Sequence, residues 1–145
     1  MLEQVSILWK VDTSTSVVSC FYDLQRRLLT CTVIGYPTHV FKFSCSAGVP
    51  SFAKVADTPS ANAGILGVGH GTTTSLNGQA GTGLLWTSDV RGQSLRIYKA
   101  VPENGLLTQI NGFNVDSVTK FTRPVFGDGR VYIGTTKGFL YGFGS

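Results

Sequence analysis

One glycine-punctuated hairpin recurs along this chain, and that recurrence limits its folding choices more than any other feature. The last copy reads FGDGRVYIGTTKGFLYGFG, Phe126–Gly144. It holds two short apolar stretches, Arg130–Gly134 and Phe139–Phe143, joined through Gly134-Thr135-Thr136-Lys137-Gly138. Asp128-Gly129 opens it, and Asp-Gly between alternating apolar residues is a strong hairpin signal because both residues tolerate positive φ. A second copy is GTGLLWTSDVRGQSLRIY, Gly81–Tyr98. Gly127 falls on Gly81, Gly129 on Gly83, Val131 on Leu85, Tyr132 on Trp86 and Gly138 on Gly92. After one inserted residue, Leu140 falls on Leu95 and Phe143 on Tyr98. A weaker copy, Arg26–Phe43, puts Leu28 on Val131, Gly35 on Gly138 and Phe43 on Phe143, with a longer turn through Pro37.

The copies end at Phe43, Tyr98 and Phe143, 55 and 45 residues apart. Short strands repeating at about 40–50 residues are the signature of propeller blades. The expected fold is all-β: one domain over 1–145 built from about three propeller blades of four antiparallel strands, with approximate extents 5–45, 51–100 and 105–144. Each copy supplies two strands, and the residues upstream supply two more. Ile7–Val11 and Val17–Tyr22 serve the first unit, Ser51–Ala56 and Ile65–Thr73 the second, Leu106–Val115 and Phe121–Phe126 the third. In such a unit both rows of alternating side chains can be apolar, because neighbouring blades cover both faces. Aromatic residues at the module ends then fill the wedge between blades.

Composition supports strands over helices. Glycine makes up 18 of 145 residues and charged residues only 14%, which is too little charge for a disordered chain. The net charge is +4, but the basic residues are scattered and no nucleic-acid motif accompanies them, so nucleic acid is not expected as a partner. No run of 18 apolar residues exists to span a membrane as a helix. Residues 1–20 lack the basic start and apolar core of a signal peptide. Of three cysteines, Cys20 and Cys31 could bridge neighbouring strands and leave Cys45 over. Three buried thiols packing as small apolar residues fit equally well.

PVFGDGRVYIGTTKGFLYGFG, Pro124–Gly144, resembles the repeat of the pyrroloquinoline-quinone-type β-propellers, the quinoprotein alcohol dehydrogenase-like superfamily. The middle copy is similar to a variant in secreted fungal members, which favours a secreted setting. The resemblance covers 65–145 well and 1–64 loosely. It implies six to eight blades in a closed ring, so three units form a partial ring, completed by further blades of a longer chain or by other copies. The superfamily's enzymes hold the quinone over calcium on the ring axis with an aspartate base. This chain has no adjacent cysteines, its tryptophans do not follow the superfamily's docking pattern, and no catalytic residue carries over. The expected function is therefore a non-catalytic binding or scaffold module for a protein or carbohydrate partner, without a cofactor. The alternatives are part of a quinone- or metal-dependent oxidoreductase acting on sugars or alcohols, which would use the quinone and calcium, and a self-assembling lectin-like ring.

Four residues stand out as ligand-binding candidates. His70 lies between glycines in GVGHGTTTSLNG, open enough to ligate a metal or act as a base. Trp86 could stack a sugar at a rim, although strand spacing also suits it to the core between blades. Asp89 and Arg91 sit in TSDVRG, where an aspartate commonly accepts hydrogen bonds from turn amides. His39, at a strand start, is a weaker candidate. Gly64–Gly71 is glycine-rich, but GxxxxGK[ST] is absent and no helix pattern follows, so it is not a phosphate loop.

Overall fold

The structure is a computed structural model that describes residues 17–23, 28–33, 36–61, 71–119 and 122–144. Eleven strands are assigned in the described residues, with no helix among them. They form three antiparallel meanders in chain order. The first sheet is β1 (Val17–Asp23), β2 (Leu28–Val33), β3 (Pro37–Ser46) and β4 (Val49–Ala61), paired in that order. The second is β5 (Thr72–Thr74), β6 (Leu84–Asp89), β7 (Ser94–Lys99) and β8 (Gln109–Asn114). The third has three strands, β9 (Val125–Gly127), β10 (Arg130–Gly134) and β11 (Leu140–Phe143). The sheets do not close on themselves.

The hairpin repeat is real, but its place in each sheet differs from the expectation. The copies become β2–β3, β6–β7 and β10–β11, the second and third strands of their sheets. The segment Leu106–Val115, expected to open the third unit, instead contains β8, which pairs with β7 and ends the second sheet. Likewise Ser51–Ala56 lies inside β4, the last strand of the first sheet. Val17–Tyr22 falls in β1, the first strand, and Ile7–Val11 lies outside the described residues. Of Ile65–Thr73, only the end reaches β5, and residues 65–70 are outside the description. The hydrogen-bonded sheets therefore run over 17–61, 72–114 and 125–143.

The turns explain the shift. Ser46 pairs with Val49 across Ala47-Gly48, whose φ values are 51° and 78°. Positive φ at both central residues is the type I′ geometry that matches the twist of flanking strands. Alanine rarely adopts it, so the sequence carries no obvious turn signal there, yet a two-residue turn forces β4 back alongside β3. The same geometry recurs at Asn104-Gly105 (52° and 78°) and at Asp128-Gly129 (50° and 70°). The first joins Glu103 to Leu106 through a reciprocal pair of backbone hydrogen bonds of 2.9 and 3.0 Å. The second sets Arg130 opposite Gly127, as the sequence predicted. β4 is an edge strand, which accommodates Pro50 and Pro59 without losing an interior ladder bond.

Side-chain alternation turns the three sheets into a stack. Leu85 pairs with Tyr98, and both face the first sheet, where they bury with Val40, Ala56 and Leu107. Trp86, the residue after Leu85, faces the other way, in one row with Leu95.

 That second row, Trp86, Leu95 and Ile97, looks toward the third sheet. There Leu95 buries with Val115, Val118, Val131 and Ile133, and Trp86, Phe113, Phe126, Tyr141 and Phe143 pack around them. Each face of the second sheet thus carries an apolar row that a neighbouring sheet covers. In the weak first copy the match is slipped by one residue. Leu28 pairs with Lys42 and packs on the first cluster, toward the second sheet, whereas Leu85 and Val131 look back. A one-residue slip moves a strand's side chains to the other face.

Polar ties fasten the stack. The amide of Asp57 donates to the Gly105 carbonyl (3.1 Å) and the amide of Leu107 to the Asp57 carbonyl (2.9 Å), which docks the Asn104-Gly105 hairpin on β4. On the other side, Gln93 accepts a hydrogen bond at Oε1 from the Val118 amide (3.0 Å) and donates from Nε2 to the Val90 carbonyl. Ser88 Oγ donates to the Thr122 carbonyl (3.1 Å). These bonds hold the connection between the second and third sheets against β6 and β7.

Candidate functional site

Where the second and third sheets part, they leave a cleft of about 380 Å³. That is within the usual range of small-molecule sites. Thr74 of β5, Trp86 of β6 and Phe113 of β8 line it from the second sheet, and Phe126, Gly127, Arg130 and Phe143 from the third. The ladder explains the company they keep. Trp86 pairs with Ile97, so both lie on the face turned to the third sheet. Phe126 pairs with Val131, and Val131 with Phe143, so all three look back at the second.

The aromatic rings are fixed in relation to one another. Trp86 and Phe126 meet edge to face with centroids 5.4 Å apart, and Phe113 stacks on Phe143 at 4.4 Å. Such arrangements suit the positive edge and negative face of aromatic rings. The Trp86 indole Nε1–H donates to Thr74 Oγ1 at 2.8 Å, which sets the ring's orientation. With that bond made, the Thr74 hydroxyl still has its own proton to donate. Arg130 is exposed at the cleft and brings a permanent positive charge. The arrangement can grip a flat apolar face and meet polar groups at its edge.

Of the candidates that fall in the described residues, only Trp86 lines this cleft. Asp89 lies on the opposite face of β6, buried, and is bound up in its own turn. Its Oδ1 accepts the amides of Arg91 (3.1 Å) and Gly92 (2.9 Å), and its Oδ2 pairs with Arg96 Nη2 at 2.5 Å. Arg91 is exposed in the same turn. His70 falls outside the described residues. Thr74, Phe113, Phe126 and Arg130 escaped the sequence reading as site residues. Alternation along β5, β8, β9 and β10 was their one signal, and it becomes usable only when the pairing of the two sheets is known.

His39 occupies a different place, on β3 opposite Asp57 of β4. Its Nδ1 lies 2.5 Å from Asp57 Oδ1, and Lys54 Nζ donates to Asp57 Oδ2 at 2.9 Å. Burial raises the Asp57 carboxyl, but the hydrogen bonds from His39 and Lys54 and their charges together hold it below its ordinary value. Eighteen residues separate His39 from Asp57, and a bulge lies between them and the turn, so spacing could not reveal the contact. Among the described residues no group of three or more His, Cys, Asp or Glu is placed to hold a metal ion.

The cysteines divide by environment. Cys31 is buried and disulfide-bonded, whereas Cys45 is free and exposed. Three buried thiols are therefore excluded. The β1–β2 register sets Cys20 directly across from Cys31. Set beside known proteins, the chain matches no family model and no curated protein.

Proposed function

We propose that this chain is a non-catalytic binding module, an arc of propeller-type blades whose cleft between the second and third sheets takes a carbohydrate. The repeat of meanders stacked in chain order supports the propeller reading, together with the resemblance of Pro124–Gly144 to the quinoprotein-type repeat. The observation that carries the ligand reading is the Trp86 indole, oriented by Thr74 and set beside Phe126 on an open cleft. The C–H faces of a sugar ring stack on such aromatic surfaces, while Arg130 and the Thr74 hydroxyl supply hydrogen bonds to its hydroxyls.

Titration of the ¹⁵N-labelled chain with cellobiose, maltose and lactose, followed by amide chemical shifts, tests this. At least one sugar should shift the amides of Thr74, Gly127 and Arg130. Thr74→Val combined with Arg130→Ala, which removes the polar groups at the cleft, should abolish the shift at Gly127 and leave the other amides in place. If none of the sugars moves those amides, or if the double variant binds as well as the native chain, the carbohydrate reading fails.

A further inference from the structure

The second sheet displays what one repeat unit does to the next. It sends Leu85 and Tyr98 back onto the first sheet, and Trp86 and Leu95 forward onto the third. The third sheet follows the same rule at matching positions. Val131 and Phe143, which fall on Leu85 and Tyr98, look back and pack on the second sheet. The forward positions are then Tyr132, in the place of Trp86, and Leu140, in the place of Leu95. Val125 joins them, paired directly with Tyr132.

Burial separates the two forward faces. Leu95 is 0% exposed, whereas Leu140 is 71% and Val125 62% exposed. The same position in the repeat carries an apolar side chain in both sheets, covered in one and bare in the other. Gly134 pairs with Leu140 and Gly142 with Tyr132, so the face is flat as well as apolar. The edge is also uncovered. β3 and β7 each take a further strand on the side away from β2 and β6, while among the described residues β11 has none. A flat, uncharged edge strand of this kind favours association.

We propose that a second copy of this chain covers this face head to tail, its first sheet stacking on the third sheet of its neighbour. The forward face of a repeat unit receives the back face of a like unit, as the two interfaces within the chain show. The back faces of the second and third sheets are already occupied. The first sheet is the one whose back face no other described sheet covers. Such a contact is heterologous, so it builds a ring if the rotation closes and a filament if it does not. The proposal is independent of the cleft and of what binds there.

Light scattering on a sizing column, across a wide range of concentrations, reads the assembly directly. The full chain should run as two or more copies. Val125→Lys combined with Leu140→Lys should reduce the mass to that of one chain, with circular dichroism unchanged because both side chains are exposed within the chain. Leu76→Lys, at an exposed leucine far along the chain from this face, should leave the assembly intact. Cross-links between isotopically light and heavy copies should join Lys137 of the third sheet's hairpin to Lys54 of the first. A native chain that stays a monomer throughout, an assembly that survives the double variant, or cross-links that join only Lys137 to Lys137 would each overturn the proposal.

Discussion

Asp57 serves two interfaces at once. Its carboxylate accepts from His39 and Lys54 while its backbone holds the Asn104-Gly105 hairpin. Its folded value lies below the ordinary 3.8, so the ionised form favours the fold. That contribution is complete above 3.8 and is lost as pH falls through the folded value. Asp57→Asn should therefore lower the denaturation midpoint at neutral pH, and the gap from the native chain should close in acid below 3.8. Urea melts at a series of pH values check this, and a gap that does not change with pH would contradict it. Thr87 presents the opposite case. It is 4% exposed, and among the described residues its hydroxyl has no hydrogen-bond partner. Leaving a buried hydroxyl unpaired costs roughly 1–3 kcal/mol, so Thr87→Val should stabilise the fold by about 1 kcal/mol in the same melts. A loss of stability would show that the hydroxyl is bonded in solution.

At the scale of the element, the two-residue turns set the strand order. Ala47 holds φ of 51° in a turn that favours asparagine or glycine. Ala47→Asn should add about 0.5–2 kcal/mol, the usual yield of matching a residue to its conformation. Gly48→Ala should destabilise although nothing lies within 4 Å of the added methyl, because φ is +78°. Comparing the two midpoints separates backbone strain from packing. The β1–β2 hairpin offers a covalent check. Thiol titration of the native chain should find one reactive cysteine, Cys45, and a non-reducing peptide map should join Cys20 to Cys31. Reduction should then cost about 2–4 kcal/mol. Three reactive thiols without reductant would contradict the pairing.

At the scale of the whole molecule, the sheets contact their neighbours in chain order, as stacked repeats do, so damage should stay local. Leu95 lies fully buried between the second and third sheets. Leu95→Ala should cost about 2–5 kcal/mol. Hydrogen exchange should quicken in β9, β10 and β11 while β3 and β4 keep their protection. Equal loss of protection in all three sheets would mean one cooperative unit instead of a stack.

The sequence by itself determined the strand class, the repeat and the Asp128-Gly129 turn. Each rests on local chemistry: alternation of apolar side chains, and residues that tolerate positive φ. It also made Asp89 legible as an acceptor for turn amides, since its partners are two and three residues away. Only the tertiary structure decided which strand of each sheet the repeat occupies, because the Ala47-Gly48 turn has a residue that does not announce it. The cleft was decided at the same level. Trp86 and Phe126 stand forty residues apart in the chain, and nothing local to either specifies the other. Their meeting follows from stacking the second sheet on the third, where burying both apolar faces outweighs the preference of any single residue.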